Sequence, residues 1–175
     1  AAGQCPHFVG SYNAAKIHNY SNRLYQELEK ETGQSTGWHG CGSLRLALKE
    51  DDVDWFHYVK GILDNVGSPA EFVPKEKILD LHPFLKIEDV LCALHTPEDG
   101  HTDPTGATNA MAIAARKAGA EIYRHNRVLE INKLQSGEWE IVTEKGNVLS
   151  EHVVNAAGSF GIEVGAMVGL SNIPS

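Results

Sequence analysis

The 175-residue sequence is short of cysteine, of positive charge and of long apolar runs, and each shortage excludes something. Its three cysteines, Cys5, Cys41 and Cys92, are odd in number and widely separated. They do not make a disulfide framework, and they read as free thiols in a reducing compartment. Lys and Arg number 15 against 23 Asp and Glu, a net charge of −8. Nucleic acid and anionic membrane are poor partners for such a chain, because phosphate binding needs clustered cations. No apolar stretch approaches the length that spans a bilayer. Methionine is scarce as well: Met111 and Met167 are the only two, neither opens the chain, and the sequence reads as a processed or truncated piece. What is present suits a folded domain, or part of one, with 42% hydrophobic residues to fill a core and an ordinary 22% of charged ones.

Helical and strand patterns alternate along the chain. Ile17, Tyr20, Leu24 and Leu28 recur at helical spacing between Ala14 and Glu31, and Gly33 marks the stop. Ser43 to Lys49 alternates Leu44, Leu46 and Leu48 and predicts a half-buried strand. Asp51 or Asp52 can cap a second helix whose apolar face is Val53, Phe56, Val59, Ile62, Leu63 and Val66. A strand at Glu71 to Val73, a short helix at Lys75 to Leu81 and a strand at Asp89 to Thr96 follow. "DPTGATNAMAIAARKAG" is the clearest helix: Asp103 caps it, Pro104 takes the first helical position, Arg116 and Lys117 lie in the last turn, and Gly119 stops it. Its buried face is expected to be Ala107, Ala110, Met111, Ala114 and Ala118. A strand at Glu121 to Tyr123 comes next. Turns at Ser136-Gly137 and Lys145-Gly146 then make Val128 to Val154 a three-stranded antiparallel meander.

Three stretches bear on chemistry. "HGCGSLR" holds a G-x-G, but Arg45 stands in the third-glycine place and a strand follows, so it is a turn and not a phosphate-binding fingerprint. "HTPEDGHTDP" brings together His95, Glu98, Asp99, His101 and Asp103. Its prolines and glycine make it a loop, Asp103 already caps a helix, and the stretch reads as substrate-facing, with His95 and His101 as candidates to orient a polar ligand and no metal expected. In "VVNAAGSFG", Val153 to Asn155 is expected to be a strand that ends at Gly158, with a helix starting near Ser159 to Ile162. A strand that ends in residues with almost no side chain has two readings. Either something large lies against the backbone, or strand and helix pack closely there. A helix, a strand, a meander and a strand of this kind are the order found in the second half of a dinucleotide-binding domain.

"AAGQCPHFVGSYNAAKIHNYSNRLYQELEKETGQSTGWHGCGSLRLA", "HTPEDGHTDPTGATNAMAIAARKAGAEIYRHNRV" and "VVNAAGSFGIEVGAMVGL" resemble, in order and spacing, the dimethylglycine and sarcosine dehydrogenase family of D-amino-acid-oxidase-like flavoproteins. The resemblance implies an α/β fold of mixed α+β character: part of an FAD-binding domain with a β-meander, joined to part of an antiparallel-sheet substrate domain. Residues 1–33 and 101–175 would belong to the first and 34–100 to the second. It implies FAD as cofactor and a small amine as substrate, with the electron acceptor left open. An N-methylated glycine would lose a hydride to flavin N5 and yield formaldehyde or a one-carbon unit on tetrahydrofolate. Ala1, Ala2 and Gly3 would lie by the flavin ring, Val128 at the adenine end, and Ala157 and Gly158 at the ribose–pyrophosphate. Phe160 takes a place that relatives fill with an aromatic residue.

In that family the G-x-G-x-x-G turn and a histidine carrying covalent flavin precede the point matching Ala1. A catalytic histidine follows the point matching Ser175. This chain is therefore expected to be a middle slice without its catalytic base, unable by itself to hold FAD tightly. Mitochondrial matrix or bacterial cytoplasm would house the parent. Two rivals stand beside this reading: another amine oxidoreductase of the superfamily, and a non-catalytic relative like the regulatory subunit of pyruvate dehydrogenase phosphatase.

Overall fold

A computed structural model describes residues 2–170. In chain order these form β1 (Gln4–Cys5), α1 (Tyr12–Thr32), β2 (Ser43–Ala47), α2 (Glu50–Val66), β3 (Glu71–Pro74), α3 (Lys75–Leu81), β4 (Cys92–Thr96), β5 (Gly100–His101), α4 (Pro104–Lys117), β6 (Val128–Lys133), β7 (Trp139–Thr143), β8 (Gly146–Ser150), a 3-10 turn (Gly158–Phe160) and α5 (Gly161–Ala166). They divide into two compact units, Ala1–Glu121 and Ile122–Ser175. The fold is mixed α/β, and its three small sheets are all antiparallel.

The first unit is organised by the sheet β2-β4-β3, in which β4 pairs on both sides. Arg45 and Phe72 both face Leu94 across the ladders, and Leu46 and Val73 both face Ala93. Strand alternation then sends side chains to two cores. On one side Ala47 and Leu94 meet Phe56, Val59 and Leu63 of α2 and Ala15 of α1. On the other, Val73 and Ala93 meet Ile78 of α3 and Val90, with Leu44 and Leu46 packed against them. The expected apolar face of α2 is the face it buries, and each fully buried Val or Leu there contributes about 1.5–3 kcal/mol. Phe8 packs edge-to-face on Phe56, with ring centroids 5.5 Å apart.

Helix ends follow the sequence closely. Asp103 accepts hydrogen bonds from Thr105 N–H and Gly106 N–H, at 3.2 and 2.8 Å, with Pro104 at the first helical position. Helix α2 starts one residue before the expected caps, because Asp52 sits in its first turn and reaches back to the Lys49 and Leu48 amides.

Two helix faces differ from expectation. In α1 the buried residues are Ala15, Asn19, Asn22 and Leu28, while Ile17 and Tyr20 are exposed. The two asparagines are inside because each donates to a backbone carbonyl: Asn19 to Val66 and Asn22 to Cys5. In α4, Ala107 and Ala110 are buried as expected, joined by Gly106, but Met111 and Ala118 are exposed and Ala114 is half-buried. The cause is that α4 rests on α1 over its N-terminal half.

The second unit is the meander β6-β7-β8, as predicted, with register Ile131–Ile141–Val148 across its centre. Two predicted strands do not form. Glu121–Tyr123 is irregular and joins none of the sheets among the described residues. Val153–Asn155 is also not a strand. Regular pairing ends at Ser150, whose hydroxyl bonds the His152 backbone, and the Asn155 side chain then accepts from Ala157 N–H at 3.2 Å and donates to Gly161 O at 2.8 Å. Local side chain–backbone bonds thus take the place of a ladder. The helix after Gly158 starts where expected.

Candidate functional site

Ala2, Gly3 and His101 meet at the N-terminal strand of the first unit. Gln4 pairs with His101 in β1–β5, and the Gly3 carbonyl accepts from Thr102 N–H at 2.8 Å, so Ala2 and Gly3 lie beside the "GHTDP" turn. A cavity of about 500 Å³ opens here, walled by Ala2, Gly3 and Cys5 and by residues of α1 and α4. Ile17 of α1 and Met111 of α4, both exposed, line it, with Asn22 and Thr108. None of its lining residues is acidic, a departure in a chain of net charge −8. An apolar hollow with a few polar groups is the ordinary form of a small-molecule site.

The strand is held there by a buried group that sequence reading treated differently. Asp99 was expected to face a substrate, yet it is 1% exposed and entirely engaged by the protein. One oxygen accepts from the His7 backbone N–H and from His7 Nδ1, both at 2.7 Å, and the other from the hydroxyls of Ser43 and Thr96 at 2.5 and 2.6 Å. A carboxylate only accepts, so the imidazole proton sits on Nδ1. Burial pushes the Asp99 carboxyl up, but the hydrogen bonds from His7, Ser43 and Thr96 together outweigh it and hold the carboxyl below its usual range. Burial first, then the Asp99 charge, push the Cys5 thiol up, which disfavours the thiolate there. His7 and Ser43 gave no sequence signal for this role, since they meet Asp99 across 92 and 56 residues.

His95 and His101 occupy different surroundings. His95 is half-buried on β4, paired with Leu44 and Glu71, and borders a cavity of about 320 Å³. His101 is exposed on β5 and borders another, of about 300 Å³. Both cavities include Cys41 and Gly42 in their walls. The Gly40–Gly42 turn leads into β2 as expected, which excludes a phosphate-binding fingerprint. Nor is the N-terminus of α4 open to a phosphate, because Asp103 occupies it.

Ala1 lies outside the described residues. In the second unit Val128 is half-buried at the start of β6, beside a register shift opposite Thr143. Ala157 is half-buried, and Gly158 is exposed with no atom within 4 Å of where a Cβ would stand. The chain there is bare backbone facing open space. Phe160 is exposed on the 3-10 turn.

Residues 1–174 match the family described as FAD dependent oxidoreductase. The chain belongs to that family. Dimethylglycine dehydrogenase of Rattus norvegicus mitochondria is 38% identical over 172 residues, 98% of this chain and 20% of the relative. The mitochondrial pyruvate dehydrogenase phosphatase regulatory subunit of Mus musculus is 35% identical over 150 residues, 86% of this chain and 17% of the relative. The chain thus spans about a fifth of the length of these relatives. L-proline dehydrogenase from P. horikoshii superposes with a TM-score of 0.89 at 26% identity, covering 99% of this chain and 46% of that one.

The residues present fit FAD. The hollow beside Ala2 and Gly3, largely apolar with a few polar groups and no acid in its wall, has the character that a flavin ring needs. Among the described residues no helix is long and apolar enough to cross a membrane.

Proposed function

We propose that the intact protein oxidises the C–N bond of an N-methylated glycine, sarcosine or dimethylglycine, as an FAD-dependent amine dehydrogenase or oxidase. The observation that carries this is the 38% identity to dimethylglycine dehydrogenase along 98% of the chain. When bound, FAD accepts the hydride from the carbon next to nitrogen. On this reading Ala2 and Gly3 would hold the flavin ring together with Ala1, which lies outside the described residues, while Val128 would serve the adenine end and Ala157 and Gly158 the ribose–pyrophosphate. His95 and His101 orient the polar end of the substrate. Residues 1–33 and 101–175 belong to the FAD domain, a reading supported by the packing of α1 on α4, and 34–100 to the substrate domain, supported by a sheet built wholly between Ser43 and Thr96. The family resemblance further implies a histidine-held flavin and tetrahydrofolate as acceptor of the one-carbon unit.

Anaerobic mixing of the intact protein with each amine tests the reading. Sarcosine or dimethylglycine should bleach the flavin faster than D-alanine does. Bleaching by D-alanine alone assigns the protein to another amine oxidase of the family. A purified intact protein without flavin favours the non-catalytic reading, for which the match to the phosphatase regulatory subunit speaks.

A further inference from the structure

His39, Cys41 and His101, the last also a substrate-loop candidate above, meet at one exposed point of the first unit. We propose that these three side chains form a binding site for a zinc-class transition-metal ion, independent of the flavin reading. One ligand atom from each lies within 4.8 Å of the other two, and all three residues are exposed. Two imidazoles and a thiolate are a borderline-soft set that suits Zn²⁺ or Co²⁺ and not Mg²⁺ or Ca²⁺. Zinc bonds of about 2.0–2.3 Å place tetrahedral ligand atoms about 3.3–3.8 Å apart. Closure by roughly 1 Å is within reach of side-chain rotation, and exposed side chains are free to make it.

The backbone is already fixed for the purpose. His39 and His101 face each other in an antiparallel bridge and exchange both backbone hydrogen bonds, at 2.8 and 3.0 Å. Their rings lie 5.2 Å apart. Cys41, two residues past His39, donates its N–H to the His39 carbonyl at 3.2 Å, and Gly42 N–H reaches Asp99 O at 2.8 Å. The segment carrying the first two ligands is thereby tied to the turn carrying the third. Asp99 is engaged by His7, Ser43 and Thr96, and Asp103 by the helix cap. Three ligands leave a fourth tetrahedral position for water or an anion, the form of an exchangeable site and not of a closed structural one. The ion would clamp residue 39 to residue 101 and so stabilise the first unit by binding the folded state.

Calorimetric titration of the intact, chelator-treated protein with Zn²⁺ should give one ion per chain. Co²⁺ should give a thiolate-to-metal charge-transfer band in difference spectra. Loss of an outer hydrogen-bond partner alone weakens metal sites by about 10–100-fold, so His39→Gln, Cys41→Ser and His101→Gln should each weaken binding by at least about 100-fold. His57→Gln should leave it unchanged. In the unsubstituted protein, zinc should also protect Cys41 from alkylation, a readout that holds if a variant fails to fold. Absence of saturable zinc binding, absence of that protection, or binding that survives the loss of either histidine overturns the proposal.

Discussion

Replacement of Asp99 by alanine should lower the unfolding free energy by about 3–5 kcal/mol, because it leaves several buried donors without an acceptor at about 1–3 kcal/mol each. The loss arises less from the missing attraction than from what remains. Two N–H groups of His7 and the hydroxyls of Ser43 and Thr96 all point at the Asp99 carboxylate, inside a site from which water is excluded. A buried donor left without its acceptor costs about 1–3 kcal/mol, and domains of this size are stable by only about 5–15 kcal/mol. Asp99→Asn should be milder, since its carbonyl keeps one acceptor, but it removes the charge. That difference has a pH signature. The folded carboxyl is held below its usual range, so its contribution is complete above the unfolded carboxylate value of about 4 and is lost as pH falls through the folded value. The gap in stability between the unsubstituted protein and Asp99→Asn should therefore be widest at neutral pH and close in acid. Urea unfolding followed by tryptophan fluorescence at several pH values gives the answer; a gap that persists at low pH, or an alanine cost below about 1 kcal/mol, would sink the assignment.

Asp99 also shows where a sequence stops being readable. The caps of α4, the apolar face of α2, the short helix α3 and the meander are each specified by residues within a few positions of one another, so spacing suffices to find them. Burial of a polar residue is decided by a partner far along the chain. Asp99 looked like a substrate-facing acid because its neighbours are turn formers, and only the fold brings His7 to it. Asn19 and Asn22 are buried for the same reason, each by a distant carbonyl, and Ile17 and Tyr20 of the expected inner face are exposed instead. The Val153–Asn155 run has the composition of a strand, but a strand is a relation between two backbones, and composition does not supply the second. His39 and Cys41 were set aside with a turn, correctly as to the turn. Their nearness to His101 depends on an antiparallel bridge that spans more than fifty intervening residues, β2, β3 and β4 among them, which no local pattern announces. The family, by contrast, was legible because it rests on the order of many segments at once.

Gly3 offers a sharper test of the site, because a second glycine serves as its control. Gly3 and Gly33 have nearly the same left-handed backbone, at φ +75° and +76°. Any residue with a Cβ is strained there by about 1–2 kcal/mol. Their surroundings differ. A Cβ on Gly33 would meet nothing within 4 Å, whereas one on Gly3 would strike the backbone carbonyl oxygen of Thr102 and crowd Pro104 Cδ at 3.4 Å. That carbonyl belongs to the turn entering α4 and is not a flexible side-chain end that can swing away. Gly33→Ala should consequently cost only the backbone strain, about 1 kcal/mol. Gly3→Ala should cost about 2–4 kcal/mol, because the first strand must also lift off the turn and surrender the Gly3–Thr102 hydrogen bond. The same displacement distorts the wall of the hollow beside Ala2 and Gly3. If the flavin ring lies against that wall, Gly3→Ala should reduce FAD retention by at least about tenfold, equivalent to 1.4 kcal/mol, while Gly33→Ala retains it. Unfolding curves and flavin content measured on the same two intact variants separate the effects. Equal destabilisation would show that the contact with Thr102 is relieved without cost, and unchanged flavin content in a destabilised Gly3→Ala protein would move the ring away from this strand.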